Sequence, residues 1–161
     1  MRICKFFLQV AIAGLCCCTA CTSPNYVKRP ANIAPPPQAQ WVETDRGLRY
    51  AVSVAPKPGA RQAQSGDTVT VHYVGAFPDG AKFDSSRDRQ VPFTFSLGRH
   101  QVITGWEQCI TGMRVGEKRY VIIPPELAYG ENGAGPIPAH TDLHYEIELL
   151  NVEATKPLDV P

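Results

Sequence analysis

Two stretches of strict alternation constrain this chain more than anything else in it. In VTVHYVGAF, Val69, Val71, Tyr73, Gly75 and Phe77 fall on one side, with His72 and Val74 on the other. In LHYEIELL, Leu143, Tyr145, Ile147 and Leu149 alternate with His144, Glu146 and Glu148. A period of two places one set of side chains on one face of a β-strand. PFTFSL repeats the pattern with Phe93, Phe95 and Leu97, and GLRYAVSV and RYVIIP add two short apolar strands. Turn signals lie between them: PDG at 78–80, VGEK at 115–118 and a Gly/Pro loop at 130–138. Five short, half-buried strands predict an antiparallel, curved sheet.

The period changes once. Thr104-Gly105-Trp106-Glu107 has the spacing of a capping box, Thr at the N-cap and Glu at N3. Trp106, Cys109, Ile110 and Met113 then follow at helical spacing, and Gly112 and Gly116 close the segment. One short amphipathic helix on a sheet makes the class α+β, with Cys109 as a thiol on the buried face.

Composition narrows the function. The chain has 161 residues, 43% of them hydrophobic, which is enough for one domain with appendages. A formal charge of +1 with no basic stripe argues against nucleic acid as a partner. Of six cysteines, only Cys109 lies beyond residue 21, so neither a disulfide framework nor a zinc ligand set is available to the globular part. No nucleophile elbow, zinc-protease motif or phosphate loop occurs, so no metal or cofactor is expected.

The ends read as address and tether. MRICK, the apolar run FFLQVAIAGL and CCCTAC form the charged and hydrophobic regions of a secretory signal over residues 1–21. The run is shorter than the roughly 20 apolar residues a membrane helix needs. Residues 22–45 begin with the Pro-rich TSPNYVKRPANIAPPPQAQ and read as a semi-rigid spacer, residues 46–153 as the domain, and residues 154–161 as a tail.

FDSSRDRQVPFTF, from Phe83 to Phe95, is the chemically suggestive segment. Three phenylalanines threaded with Asp84, Arg87, Asp88 and Arg89 suit neither a solvated loop nor a core strand. They suit an apolar pocket with a few polar groups directed into it.

VHYVGAFPDGAKFDSSRDRQVPFTFSLG, VITGWEQCITGMRVGEK, YVIIPPELAYG and IPAHTDLHYEIELL together resemble the FKBP-type peptidyl-prolyl isomerases, in order and spacing, across about residues 46–153. The resemblance implies a half-wrapped antiparallel β-sheet with one short helix packed on its concave face. It also implies an aromatic pocket between helix and sheet. Tyr73, Phe83, Asp84, Trp106, Tyr129 and Tyr145 would carry catalysis, and Phe93, Val102, Ile103, Ile137 and Arg89 would contact substrate. In family terms Trp106 is the floor under the proline ring. The Tyr129 hydroxyl and the Ile103 N–H are expected to bond substrate carbonyls. Asp84 is expected near the prolyl amide with Arg89 orienting it. Tyr145 departs from the Phe that most members have there, and the loop ENGAGPIPAH is about one residue shorter than usual.

The implied partners are proline-containing peptides, unfolded exported proteins and macrolide-type inhibitors, met by a monomer. A fold-retaining chaperone or adhesion module is the rival, though no extra insert is visible between Phe77 and Tyr129. The cysteine cluster in turn resembles a bacterial lipoprotein signal. Cys21, after Thr19-Ala20, fits best as the lipidated residue, with Cys18 departing from the usual Leu. That resemblance implies a lipid-anchored periplasmic protein, with the outer membrane favoured. The alternative is a soluble periplasmic or secreted form released by an ordinary signal.

Overall fold

The computed structural model describes residues 30–154. The expected signal, Cys21 and most of the tail lie outside the described residues. Seven strands run in the order β1 (Val42–Glu43), β2 (Arg49–Val54), β3 (Thr68–Ala76), β4 (Lys82–Ser85), β5 (Phe93–Ser96), β6 (Lys118–Ile123) and β7 (Leu143–Glu153). The helix α1 (Thr104–Ile110) lies between β5 and β6, and a 3₁₀ turn, Pro125–Leu127, follows β6. Every pairing is antiparallel, in the sheet order β1-β2-β6-β7-β3-β4, with β5 also on β3. The sheet is open, and α1 is the one α-helix among the described residues, as the alternation and the single change of period predict.

The alternation in β7 is realised side chain by side chain: Leu143, Tyr145, Ile147 and Leu149 are all buried. Opposite β3 the register slips between Thr70 and Val71, which face Asn151 and Leu149, so Leu150 is an extra residue on β7. This bulge resets the phase, and Val152 rather than Asn151 returns to the core. In β3 the expected one-sided pattern holds only for the first half. Val74 and Ala76 are buried as well as Tyr73 and Gly75.

Four expectations are corrected. Two strands beyond the expected five are present: β1, with only two residues, is too short for a period, and β4 carries Lys82 and Asp84 within its four. The capping box does not form. Thr104 is the first helical residue, Ile103 stands at the N-cap with φ −58° and ψ 148°, and no side chain caps it. Glu107 instead reaches back to accept the His100 N–H at 2.8 Å, closing the preceding loop. Met113 is fully buried but lies past the helix end, beyond Gly112 at φ +87°. Part of the stretch read as tether also lies on the domain. The Ala31 N–H donates to the Gly80 carbonyl (3.0 Å), and the Trp41 ring packs edge-on against Tyr120.

Helix α1 is seated by two contacts. A Cβ on Gly105 would come within 2.4 Å of Ile123 Cγ2, so only glycine lets the helix lie this close to β6. At its other end Arg119 of β6, itself buried, donates through Nη1 to the Cys109 carbonyl (2.6 Å) and through Nε to Glu117 (2.6 Å). Glu117 also accepts the Arg114 N–H at 2.9 Å. Burial pushes the Cys109 thiol up to about 11, so it stays neutral in the core. Removing one member of a buried pair strands the other charge. Arg119→Ala is therefore expected to destabilise the domain by about 3–5 kcal/mol, read from the denaturant midpoint.

Candidate active site

The concave face carries a cluster of rings contributed by β3, β5, β7 and α1. Trp106 sits at its centre, 95% buried, with its indole edge-on to Tyr73 (4.9 Å between centroids, 77°) and Tyr145 (5.3 Å, 84°). Phe93 closes one side at 6.2 Å and 73°. Edge-to-face contacts of this kind hold rings apart at fixed angles, so a gap between them persists. The gap is a cavity of about 200 Å³ lined by Tyr73, Asp84, Phe93, Gln101, Val102, Ile103, Trp106, Tyr129 and Tyr145. A second cavity of about 360 Å³ adjoins it, lined by Phe83, Asp84, Tyr129, Tyr145 and the loop Ala134–Ile137. Asp84, Tyr129 and Tyr145 border both.

Gly75 makes this junction possible. A Cβ there would stand 2.7 Å from both Phe83 Cζ and Tyr145 Cε1, so a larger residue would drive the two rings apart. They meet over β3 with centroids 5.5 Å apart at 88°.

The polar side of the cavity is a three-member network. The Tyr73 hydroxyl donates to Asp84 Oδ2 and accepts from Arg89 Nη2 at 2.8 Å, while Arg89 Nη1 pairs with Asp84 Oδ1. The Ser85 N–H adds a third bond to the carboxylate at 2.7 Å. Burial pushes the Asp84 pKa up, but the bonds from Tyr73 and Arg89 more than offset it, so its carboxyl titrates below the ordinary range. Burial, and then the bond to the Asp84 carboxylate, raise Tyr73. Burial also raises Tyr145, followed by the nearby Tyr129, Tyr73 and Asp84. Both phenols therefore keep their protons at neutral pH. The Trp106 indole N–H near Tyr145 counters that rise slightly, and it has no hydrogen-bond partner among the described residues.

Two groups at the mouth are unengaged. Among the described residues the Ile103 N–H has no acceptor and the Tyr129 hydroxyl has no partner; Tyr129 is 37% exposed. Of the residues singled out from the sequence, Tyr73, Asp84, Phe93, Val102, Ile103, Trp106, Tyr129 and Tyr145 line the inner cavity. Phe83 and Ile137 line the outer one, and Arg89 stands behind Asp84 with its guanidinium 5.8 Å from the Tyr73 ring.

Sequence reasoning missed Gln101, Gly75 and Ser86. Gln101 lines the cavity and accepts the Ser96 N–H. Buried Ser86 accepts the Tyr73 N–H at 2.8 Å and bonds His72, pinning the turn after β4 to β3. The glycine inside an otherwise apolar strand was the available signal for Gly75. A wider, open depression of about 520 Å³ over Thr44, Arg46, Glu107 and Thr111 contains no aromatic ring. Among the described residues no cluster of His, Cys, Asp and Glu is arranged to hold a metal ion, and no helix is long and apolar enough to cross a membrane.

The open antiparallel sheet, its crossing helix and the ring-lined cavity define an FKBP-type isomerase domain. Residues 59–150 match the family model of the FKBP-type peptidyl-prolyl cis-trans isomerases, and the chain belongs to that family. It is 53% identical over 98 residues to FK506-binding protein 2B of Rhizopus delemar, covering 60% of this chain and about half (47%) of that protein. Against peptidyl-prolyl cis-trans isomerase FKBP2 of Mus musculus it is 49% identical over 121 residues, 74% of this chain and 86% of the relative. The crystal structure of FkpA from Escherichia coli superposes with a TM-score of 0.66 at 37% identity, over 72% of this chain and 53% of that one.

The Asp84 network sets a pH expectation. A carboxyl whose folded pKa lies below its unfolded value contributes stability that is present above about pH 4 and is lost as pH falls through the folded pKa. Denaturant midpoints measured against pH should show this acid limb in the native chain and a shallower one in Asp84→Asn.

Proposed function

We propose that the chain catalyses cis–trans rotation of X–Pro peptide bonds by seating the proline ring on Trp106 in the inner cavity. The observation that carries this reading is a ring-walled cavity whose mouth presents two unengaged hydrogen-bond donors, the Ile103 N–H and the Tyr129 hydroxyl. The reaction breaks no covalent bond. It turns the amide over a barrier of ~18–20 kcal/mol that originates in resonance. Midway through the turn the nitrogen is pyramidal and the carbonyl has lost its polar resonance form. The twisted amide is thus less polar than the planar one. A water-poor aromatic wall favours it differentially. The Ile103 N–H and the Tyr129 hydroxyl hold the flanking substrate carbonyls, so the peptide stays fixed while one bond turns. The Asp84 carboxylate, kept ionised by Tyr73 and Arg89, faces the prolyl amide and orients the site. The same cavity would accept FK506-type macrolides, which the names of the relatives associate with the family.

The exported, lipid-anchored setting belongs to this proposal. Its support is the sequence of residues 1–21, with Cys21 as the acylated residue. Unfolded exported proteins are then the substrates, because uncatalysed prolyl isomerisation takes tens of seconds and limits folding.

The reading is tested with a protease-coupled assay on a prolyl tetrapeptide. Tyr129→Phe removes a hydroxyl that bonds no group among the described residues, so it should lower kcat/KM about three- to tenfold without moving the denaturant midpoint. An unchanged kcat/KM would remove Tyr129 from the mechanism, and a wild-type chain without turnover would remove the reading. Mass spectrometry of the mature N-terminus should find acyl mass on Cys21 and none in Cys21→Ser; an unacylated terminus in the native chain contradicts the anchor.

A further inference from the structure

One hydroxyl that lines the cavities has no task in the reading above. The Tyr145 hydroxyl stands on a side chain that is 96% buried, at the border of both cavities, and its proton has no acceptor among the described residues. The Trp106 indole N–H beside it is itself a donor and cannot take that proton. A ligand acceptor replaces the water that this hydroxyl can reach through the cavities, whereas an apolar ligand group displaces that water and leaves the proton unmet, at a cost of about 1–3 kcal/mol.

With the proline ring in the inner cavity, the adjoining outer cavity, which shares Asp84, Tyr129 and Tyr145 with it, is within reach of a residue next to the proline. That cavity is about 360 Å³, ample for a medium side chain. Its polar border consists of the Tyr145 and Tyr129 hydroxyls and the Asp84 carboxylate. A carboxylate side chain would meet Asp84 there and be repelled. An amide meets no such penalty, since its carbonyl accepts from Tyr145 while its NH₂ donates toward the carboxylate side.

We infer that the outer cavity reads the residue before proline, and that the Tyr145 hydroxyl makes it accept a neutral amide side chain, Asn or Gln, that an all-apolar wall would disfavour. The inference rests on the isomerase reading and deepens it to a substrate class. A hydroxyl placed to hydrogen-bond a substrate group discriminates against the near-isosteric analogue that lacks it.

The test compares Asn-Pro with Leu-Pro, whose side chains are nearly the same shape, in otherwise identical tetrapeptides. Rates are corrected for the uncatalysed reaction of each peptide. Tyr145→Phe should lower the ratio of kcat/KM for Asn-Pro over Leu-Pro about fivefold, chiefly through KM, whatever happens to the absolute rates. An Asp-Pro peptide should remain the poorest substrate of both proteins. If Tyr145→Phe moves both peptides equally, the hydroxyl serves the common main chain or the packing and the inference fails. An unchanged ratio with unchanged rates also overturns it. A wild-type chain that turns over neither peptide instead refutes the isomerase reading, so the two failures are distinguishable.

Discussion

Helix α1 rests at Gly105 directly on the Ile123 side chain of β6, which a methyl there would overlap. Trp106 is the next residue, so the depth of that contact sets how far its indole descends between Tyr73 and Tyr145. Arg119 fixes the far end by bonding the Cys109 carbonyl, and its charge is balanced by Glu117 within the core. Seven residues make a helix too short to be stable alone. Its position is therefore a property of the sheet beneath it, and so is the floor of the cavity.

The same economy appears on the polar side. Strand β3 delivers Tyr73 and β4 delivers Asp84, and Ser86 ties the turn after β4 back to the Tyr73 main chain. Arg89 then closes the network from the loop. A carboxylate at the edge of an apolar cavity is expensive to desolvate unless it is bonded. Here it has a phenol, a guanidinium and a backbone N–H. The engaged groups form a rigid frame, and three cavity groups left unengaged among the described residues, the Ile103 N–H and the Tyr129 and Tyr145 protons, are available to a ligand.

Much of this was legible before any coordinates. The alternation of Leu143, Tyr145, Ile147 and Leu149 gave β7 its inward face because a period of two leaves a strand no freedom in which side is buried. The resemblance carried the ring set and the Asp84–Arg89 pairing. Other features escaped for physical reasons. The bulge at Leu150 is set by the pairing of two strands some eighty residues apart, and nothing local marks it. Thr104 and Glu107 satisfied a capping pattern, yet Glu107 found a nearer donor at His100, in a turn where that residue takes φ +54°. β4 was hidden because Lys82 and Asp84 fall within its four residues, and Asp84 lines the cavity, so the segment reads as loop. Gly75 was seen as an inward-facing residue, but that two rings need its missing side chain depends on where Phe83 and Tyr145 meet in space.

The central claim is that a proline ring rests on Trp106 while its peptide bond turns. Two-dimensional NMR of a prolyl peptide with the protein tests it directly, by following cis–trans exchange and intermolecular contacts in one sample. The account predicts accelerated exchange together with nuclear Overhauser effects between the proline ring protons and the Trp106 indole. Accelerated exchange with the proline protons contacting a different surface, such as the depression over Thr44 and Thr111, would contradict it.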